Sequence, residues 1–162
     1  MQHIHVKNKK IFTYIVSIII CQLAGIIGSI FTTPAIKGWY TGITKPSFNP
    51  PNWIFAPVWI TLFVLMGISL AIVWLSEKND LRKKALKVFF VQLVLNTLWS
   101  IIFFGMENPL LAFIEMVVLW VVILYTIILF RKINRKASCL LISYTLWVSF
   151  ASVLNLAIAI LN

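Results

Sequence analysis

The sequence predicts an all-α membrane protein, a bundle of five transmembrane helices with a proline- and tryptophan-rich outer loop between helices one and two. The chain has 162 residues, of which 61% are hydrophobic and only 11% are charged. A soluble domain of this size has too little interior to bury that much apolar surface. In addition, five apolar segments reach the roughly 20 residues that a helix needs to cross a bilayer.

These five segments take up most of the chain, so we expect residues 1–162 to form a single integral membrane domain. The predicted helices cover about residues 11–33, 53–75, 85–105, 109–130 and 137–161. The first segment follows a basic start, as the apolar core of a signal peptide does. It is too long for such a core, and no convincing cleavage site follows it, so we expect it to be retained.

Basic residues predict the orientation of the bundle. Twelve of the fourteen Lys and Arg residues precede the first helix or lie in the second and fourth connections, whereas Lys37 and Lys45 lie on the other side. Because cytoplasmic loops are enriched in Lys and Arg, the N-terminus is predicted in the cytoplasm and the C-terminus outside. The net charge of +10 is explained by topology, and no nucleic-acid partner is expected.

The connection from Lys37 to Trp59 is the only long one between the apolar segments. It carries four of the six prolines and three of the seven tryptophans. Proline fixes φ and removes a backbone donor, so the first helix is not expected to run on through this stretch. A stiff aromatic segment tied to helices at both ends is suited to cover a flat, apolar surface. Phe55, Trp59 and Phe63 then recur every four residues and form one aromatic stripe.

Small and polar residues within the predicted helices leave alternatives open. Gly25-x-x-x-Ser29 fits either packing inside the bundle or a seam between two copies. Gln92 and Asn96, at a step of four, are either hydrogen-bonding groups between helices or ligand contacts. Glu115 is the only acidic residue within a predicted helix, and it is either functional or a structural hydrogen-bonding group.

The cysteines and histidines do not predict a metal site. Cys21 and Cys139 lie inside or at the edge of helices without metal-type spacing, and we expect them to be packing residues. His3 and His5 both lie in the N-terminal tail, where such a pair is a weak metal site. The predicted helices therefore offer no histidine ligand for a permanently bound haem, and no obligatory cofactor is expected.

Helix rise converts sequence position into depth and predicts a pocket. Trp59, Trp99 and Glu115 each lie six residues from the outer end of a helix, roughly 9 Å below that surface. Trp147 lies deeper. A layer of Trp, Phe, Asn and one acid beneath an aromatic loop is typical of a small-molecule site, which has mostly apolar walls and a few polar groups. The alternative is that these aromatic side chains only fill the centre of the bundle.

Three stretches resemble, in the right order, the motifs of the TspO/MBR family of translocator proteins, tryptophan-rich sensory proteins and peripheral benzodiazepine receptors. The first is Trp39-Tyr40-x-x-Ile43-x-Lys45-Pro46-x-Phe48-x-Pro50-Pro51, followed by Phe55-x-Pro57-Val58-Trp59. The others are Gln92-Leu-Val-Leu-Asn96-x-x-Trp99-Ser100 and Tyr144-x-x-Trp147-x-x-Phe150-Ala151-x-x-Leu154-Asn155. The resemblance covers nearly the whole chain beyond the N-terminal tail.

The resemblance implies a five-helix bundle in a bacterial cell membrane, often a homodimer, that binds porphyrins such as protoporphyrin IX, and haem, as ligands. It also implies binding of synthetic benzodiazepine-type and isoquinoline carboxamide ligands. By match to the motifs, the ligand-binding residues would be Tyr40, Phe55, Trp59, Phe63, Asn96, Trp99, Met116, Trp147, Ala151 and Leu154. Cholesterol is not the expected ligand, because the fifth helix ends Leu156-AIAILN without Tyr or a basic residue.

The resemblance therefore favours a membrane receptor or sensor for porphyrins and other flat hydrophobic ligands. Some bacterial members promote light-dependent porphyrin breakdown, and Trp59 and Trp147 would be the catalytic residues of such photochemistry. The alternative is a transporter of tetrapyrroles or other amphiphiles, although the sequence shows neither an inverted repeat nor an ion-coupling cluster. A conventional enzyme is not indicated, because a Ser/His/acid set, a metal cluster and a nucleotide loop are all missing from the sequence.

Overall fold

The computed structural model describes the backbone of residues 2–162 and the side chains of residues 8–162. The expectation for His3 and His5 concerns side chains outside the described residues. The helices are α1 (Gln2–Lys37), α2 (Trp39–Gly42), α3 (Asn52–Trp74), α4 (Asp80–Ser100), α5 (Pro109–Ile133) and α6 (Arg135–Leu161). Within the described chain, five are long and apolar enough to cross a membrane, which confirms the predicted fold class.

Local features explain why α1 and α4 extend beyond their predicted limits. α1 runs on to Lys37 and includes Pro34, because a membrane helix can tolerate the single missing backbone donor of a proline. α4 begins at Asp80, five residues before the predicted start. The Asn79 side chain accepts a hydrogen bond from the Arg82 backbone N–H at 2.8 Å, which caps the helix and extends it into the charged connection.

The five long helices form a closed ring in the order α1, α3, α6, α5, α4. We call the end of this ring that carries residues 38–51 the loop side, and the other end the opposite side. On the loop side, α4 continues into one π-helical turn, Ile101–Gly105, and the chain turns through Glu107 at a φ of 52°. Asn108 then caps α5 by accepting a hydrogen bond from the Leu111 backbone N–H at 3.0 Å.

Glycines set how closely α1 approaches its two neighbours. A Cβ added at Gly67 of α3 would lie 2.5 Å from the Cα of Ile18, so these two backbones touch. A Cβ at Gly25 would lie 2.5 Å from the Phe63 ring. The Gly25 position therefore serves packing inside the bundle, one of the two alternatives left open by the sequence. Ser29, the other member of that motif, is exposed.

Candidate functional site

A cavity of about 410 Å³ occupies the loop-side half of the bundle. It is bounded by α1, α3, α4 and α6, with Tyr40 of the loop region also contributing to its wall. Nine of the ten predicted ligand-binding residues line it: Tyr40, Phe55, Trp59, Phe63, Asn96, Trp99, Trp147, Ala151 and Leu154. The structure thus brings together residues from four separate elements, and their binding of a ligand stays a prediction.

Aromatic rings form the walls of the cavity. Trp59 stacks on Phe63 with ring centroids 5.6 Å apart, as expected for two residues four positions apart on one helical face. Phe55 meets Trp147 edge to face at 6.0 Å, which joins α3 to α6. Offset and edge-to-face contacts of this kind hold rings in fixed orientations and leave other ring surfaces available to a ligand.

The loop covers one end of the cavity with Tyr40. This side chain is only 5% exposed, and its ring packs against Phe104 at 5.7 Å. Its hydroxyl donates a hydrogen bond to Asn49 Oδ1 at 3.2 Å, and the Lys45 Nζ lies 4.6 Å from the ring centroid. Burial raises the pKa of Tyr40 above its ordinary value of 10.0, because a charged phenolate loses its hydration there.

A second contact anchors the middle of the loop to α6. The Thr44 backbone N–H donates to Asn162 Oδ1 at 2.9 Å, and Asn162 Nδ2 donates back to the Thr44 carbonyl at 3.0 Å. Such a reciprocal pair satisfies both backbone groups of one loop residue. The loop is therefore fastened at Tyr40 and at Thr44 as well as at its two ends.

Polar side chains at the cavity wall are mostly engaged in bonds between helices. Asn96 Nδ2 donates to the Tyr144 hydroxyl at 3.0 Å, and Trp99 Nε1 donates to Asn155 Oδ1 at 2.9 Å. Asn96 thus forms a bond between helices, one of the two alternatives that the sequence left open, and because it also lines the cavity a ligand contact stays a prediction. The Trp147 Nε1–H, by contrast, has no hydrogen-bond acceptor among the described residues.

Three predicted residues of interest lie away from the cavity. Met116 is 2% exposed and packs in the apolar core, because the cavity wall is formed by α1, α3, α4 and α6 and includes no residue of α5. Glu115 and Gln92 are also buried and do not line the cavity. Their side-chain polar atoms have no hydrogen-bond partner within residues 8–162, so the structural hydrogen bond that was one of the two alternatives for Glu115 is not found there.

Comparison with known families matches residues 17–161 to the TspO/MBR family. The chain belongs to the TspO/MBR family. The tryptophan-rich protein TspO of Chlorobaculum tepidum is 43% identical over 159 residues, which cover 96% of this chain and 99% of the relative. The tryptophan-rich sensory protein of Cereibacter sphaeroides is 33% identical over 124 residues, 76% of this chain and 77% of the relative. The translocator protein of Homo sapiens is 33% identical over 137 residues, 83% of this chain and 80% of the relative.

Family membership confirms the resemblance stated from the motifs. Together with the five apolar helices, it makes the chain an integral membrane protein. Among the described residues, no group of three or more His, Cys, Asp or Glu is arranged to hold a metal ion.

Residues of α1 also line the cavity, although none of them was among the predicted ligand-binding residues. Small side chains make up much of this wall: Gly25, Gly28, Ser29 and Thr32. Their spacing at steps of three, four and seven was visible in the sequence, but it indicates equally a close helix contact and a space left between helices. Only the arrangement of the helices around the ring distinguishes a close contact from a space.

Proposed function

We propose that the protein is a membrane receptor or sensor whose cavity binds porphyrins, protoporphyrin IX and haem included, and other flat hydrophobic ligands. The observation that carries the proposal is the cavity itself, walled by Phe55, Trp59, Trp99 and Trp147 beneath an aromatic loop. A relative that is called a tryptophan-rich sensory protein supports the sensing role. Aromatic faces stack on a planar ring system, which favours a macrocycle over a flexible chain.

The size and polarity of the cavity support the same ligand class. Its volume of about 410 Å³ lies in the range typical of small-molecule sites, which bury most of a ligand among apolar walls. Lys45, held near the Tyr40 ring, supplies a positive charge toward which ligand carboxylates would be drawn at the loop end.

The proposal includes light-dependent breakdown of bound protoporphyrin. Trp59 and Trp147 both line the cavity, and each has an aromatic neighbour about 6 Å from its ring. An excited porphyrin lying against these rings would have oxidisable side chains next to it. The photochemistry would belong to the ligand, and the protein would hold the ligand and orient it.

The test is tryptophan fluorescence quenching by protoporphyrin IX in detergent micelles, measured in the dark. Saturable quenching is expected, and Trp59→Ala or Trp147→Ala is expected to weaken the affinity about tenfold or more, since each removes a stacking surface. Trp74→Ala is the matched control, because Trp74 packs on Phe90 at the opposite side of the bundle. Unchanged affinity in both cavity variants would refute the proposed site.

The same samples are then illuminated while the porphyrin absorbance is followed. We expect the absorbance to fall with the wild-type protein, and to fall more slowly with Trp59→Phe and Trp147→Phe than with Trp74→Phe. Binding without light-dependent loss would leave a receptor or sensor and would exclude the photochemical part of the proposal.

Transport is the second candidate, and the name of the human relative, translocator protein, favours it. The opposite half of the bundle argues against a ready path, because it is filled by side chains with no exposed surface, such as Met66, Leu70, Phe89 and Phe130. Sealed vesicles containing the protein distinguish a transporter from a receptor. Net uptake of porphyrin into their lumen would favour transport, whereas saturable binding without uptake would favour the receptor.

We propose further that the loop side faces outward and that the protein forms a homodimer. The excess of Lys and Arg in the connections at the opposite side supports the orientation. In a Cys139→Ser background, Ser47→Cys in the loop should react with an impermeant maleimide in intact cells. Glu77→Cys, between α3 and α4, should react only after the cells are permeabilised, and the reverse pattern would invert the topology.

A further inference from the structure

The cavity reaches the surface of the bundle between α1 and α3. Two isoleucines that line it, Ile26 and Ile60, are each 57% exposed. Four further lining residues, two from each helix, are also exposed: Ser29, Thr33, Asn52 and Ala56. Side chains that face a cavity and the exterior at the same time mark the rim of an opening.

The register of α1 against α3 arranges these residues in facing pairs. The two helices are antiparallel, and Gly67 lies against Ile18 while Gly25 lies against Phe63. Continuing this register toward the loop side places three pairs at matching heights on the two helices: Ile26 with Ile60, Ser29 with Ala56, and Thr33 with Asn52. Each helix contributes one stripe at steps of three or four, so the pairs form the two edges of a single slot.

The slot is closed toward the opposite side of the bundle. There the Gly67 backbone touches the backbone of Ile18, and Gln22 Nε2 donates a hydrogen bond to the Ile60 carbonyl at 3.0 Å. The helices are therefore joined directly below the slot. The opening is confined to the half of the bundle that contains the cavity.

The depth of the slot places it against lipid. Ile60 lies eight residues from the start of α3 at Asn52, roughly 12 Å below the loop side. This distance falls within the loop-side half of a hydrocarbon core of roughly 30 Å. The pairs also become more polar toward the loop, from two isoleucines to Thr33 and Asn52. The same gradient runs from the acyl chains of a leaflet to its headgroups.

The end of the cavity beneath the loop is more firmly closed than the slot. Tyr40 is buried against Phe104, and Thr44 exchanges two hydrogen bonds with Asn162. Opening the loop would break these contacts, whereas within residues 8–162 no hydrogen bond joins α1 to α3 on the loop side of Gln22. The easier route therefore runs sideways.

We propose that this slot is the passage through which an amphiphilic ligand moves between the loop-side leaflet and the cavity, with its polar end toward the loop. The inference rests on the proposed function, since it assigns a route to the ligand of that cavity. Such a passage selects for molecules that partition into lipid and have one polar edge, and it disfavours molecules that stay in water.

Two chemical cross-links, one across the slot and one between the loop and α6, test which of the two routes the ligand uses. We call them the slot lock and the loop lock. In a Cys21→Ala, Cys139→Ser background, Ser29→Cys with Ala56→Cys allows a short bifunctional thiol reagent to bridge the slot. Thr44→Cys with Asn162→Cys allows the same reagent to fasten the loop to α6. Each pair is also treated with a monofunctional reagent, which adds bulk without joining the helices. Proteins in phosphatidylcholine vesicles are mixed with vesicles that carry protoporphyrin IX, and tryptophan quenching is followed in time.

The slot lock is expected to slow both association and release of protoporphyrin about tenfold or more, because it holds a gate shut. The loop lock is expected to change these rates by less than about twofold. Slower association and release of protoporphyrin in the loop-locked protein, together with unchanged rates in the slot-locked protein, would overturn the proposal. So would cross-linking of the single Ser29→Cys variant into dimers, since a second copy would then cover the slot.

A protein that binds no protoporphyrin would refute the proposed function, and the slot would then be tested without that ligand. Phospholipids brominated on their acyl chains quench tryptophans that lipid can reach. The share of quenching due to Trp59, obtained by comparison with Trp59→Phe, is expected to be present and to fall when the slot is locked. No quenching of Trp59 would overturn the slot.

Discussion

The loop-side half of the bundle is hollow, whereas the opposite half is filled, although the same five helices build both. In the filled half, Phe89 and Phe130 stack with centroids 5.6 Å apart, and Gly67 brings two backbones into contact. In the hollow half, the helices carry small residues such as Gly28 and Ala151 at positions that face the interior. Both halves contain small residues, which allow close backbone contact in the filled half and line open space in the hollow half.

The largest expected effect compares the same substitution, alanine to leucine, in the two halves. Ala85 is fully buried in the filled half, so Ala85→Leu is expected to lower the free energy of unfolding by about 3 kcal/mol through overpacking. Ala151→Leu is expected to change it by less than about 1 kcal/mol, because the added atoms enter existing space, and to weaken protoporphyrin binding about tenfold or more.

Chemical unfolding in detergent micelles measures the first quantity, and quenching titration measures the second. Equal destabilisation by Ala85→Leu and Ala151→Leu would show that the two halves are packed alike. Full retention of binding in Ala151→Leu would place the ligand elsewhere.

A smaller effect is expected from glycine substitutions on the two sides of the α1–α3 contact. The Cβ of Gly67→Ala would meet the Ile18 backbone, which cannot rotate away, so we expect a loss of about 2 kcal/mol in unfolding free energy. The Cβ of Gly25→Ala would meet the Phe63 ring, which can rotate toward the cavity. Since alanine also favours the helix by about 1 kcal/mol, we expect almost no net change there.

Thermal unfolding of both variants in the same detergent tests this difference. The Gly25→Ala protein should keep its stability while its affinity for protoporphyrin changes, because Phe63 lines the cavity. A larger loss of stability in Gly25→Ala than in Gly67→Ala would reverse the assignment of hollow and filled halves.

These two regions were not equally predictable from the sequence. The long apolar segments predict the five helices because membrane crossing demands length and hydrophobicity, which are local properties. The cavity also depends on which helices are neighbours. Met116 was expected at the cavity by its motif, yet no residue of α5 lines the wall, whereas Gly28 and Thr32 of α1 do.

The start of α4 shows the same limit on a smaller scale. The charged residues after Asp80 look like a connection by composition, but the side-chain cap from Asn79 makes them helical. A capping residue of this kind is visible in a sequence only when the helix start is already suspected. Gln92 was expected to bond between helices or to meet a ligand, and its amide has no partner in residues 8–162.

The smallest expected effect concerns the loop that covers the hollow half. Tyr40→Phe removes the hydroxyl that donates to Asn49, at an expected cost of about 1 kcal/mol of unfolding free energy. Burial raises the pKa of Tyr40 above 10.0, so the folded chain retains the phenol proton after the unfolded chain has released it. The contribution of Tyr40 to stability is therefore fully present below about pH 10 and is lost as the pH rises through the raised pKa.

The difference in tyrosinate absorbance between the wild type and Tyr40→Phe should titrate above pH 10. Asn49→Ala is the matched control, because it removes the acceptor while the phenol stays buried, and its midpoint should also lie above the ordinary value. A midpoint at or below 10.0 in the wild type would mean that water reaches Tyr40, and that the loop does not close the cavity as firmly as the filled half is closed.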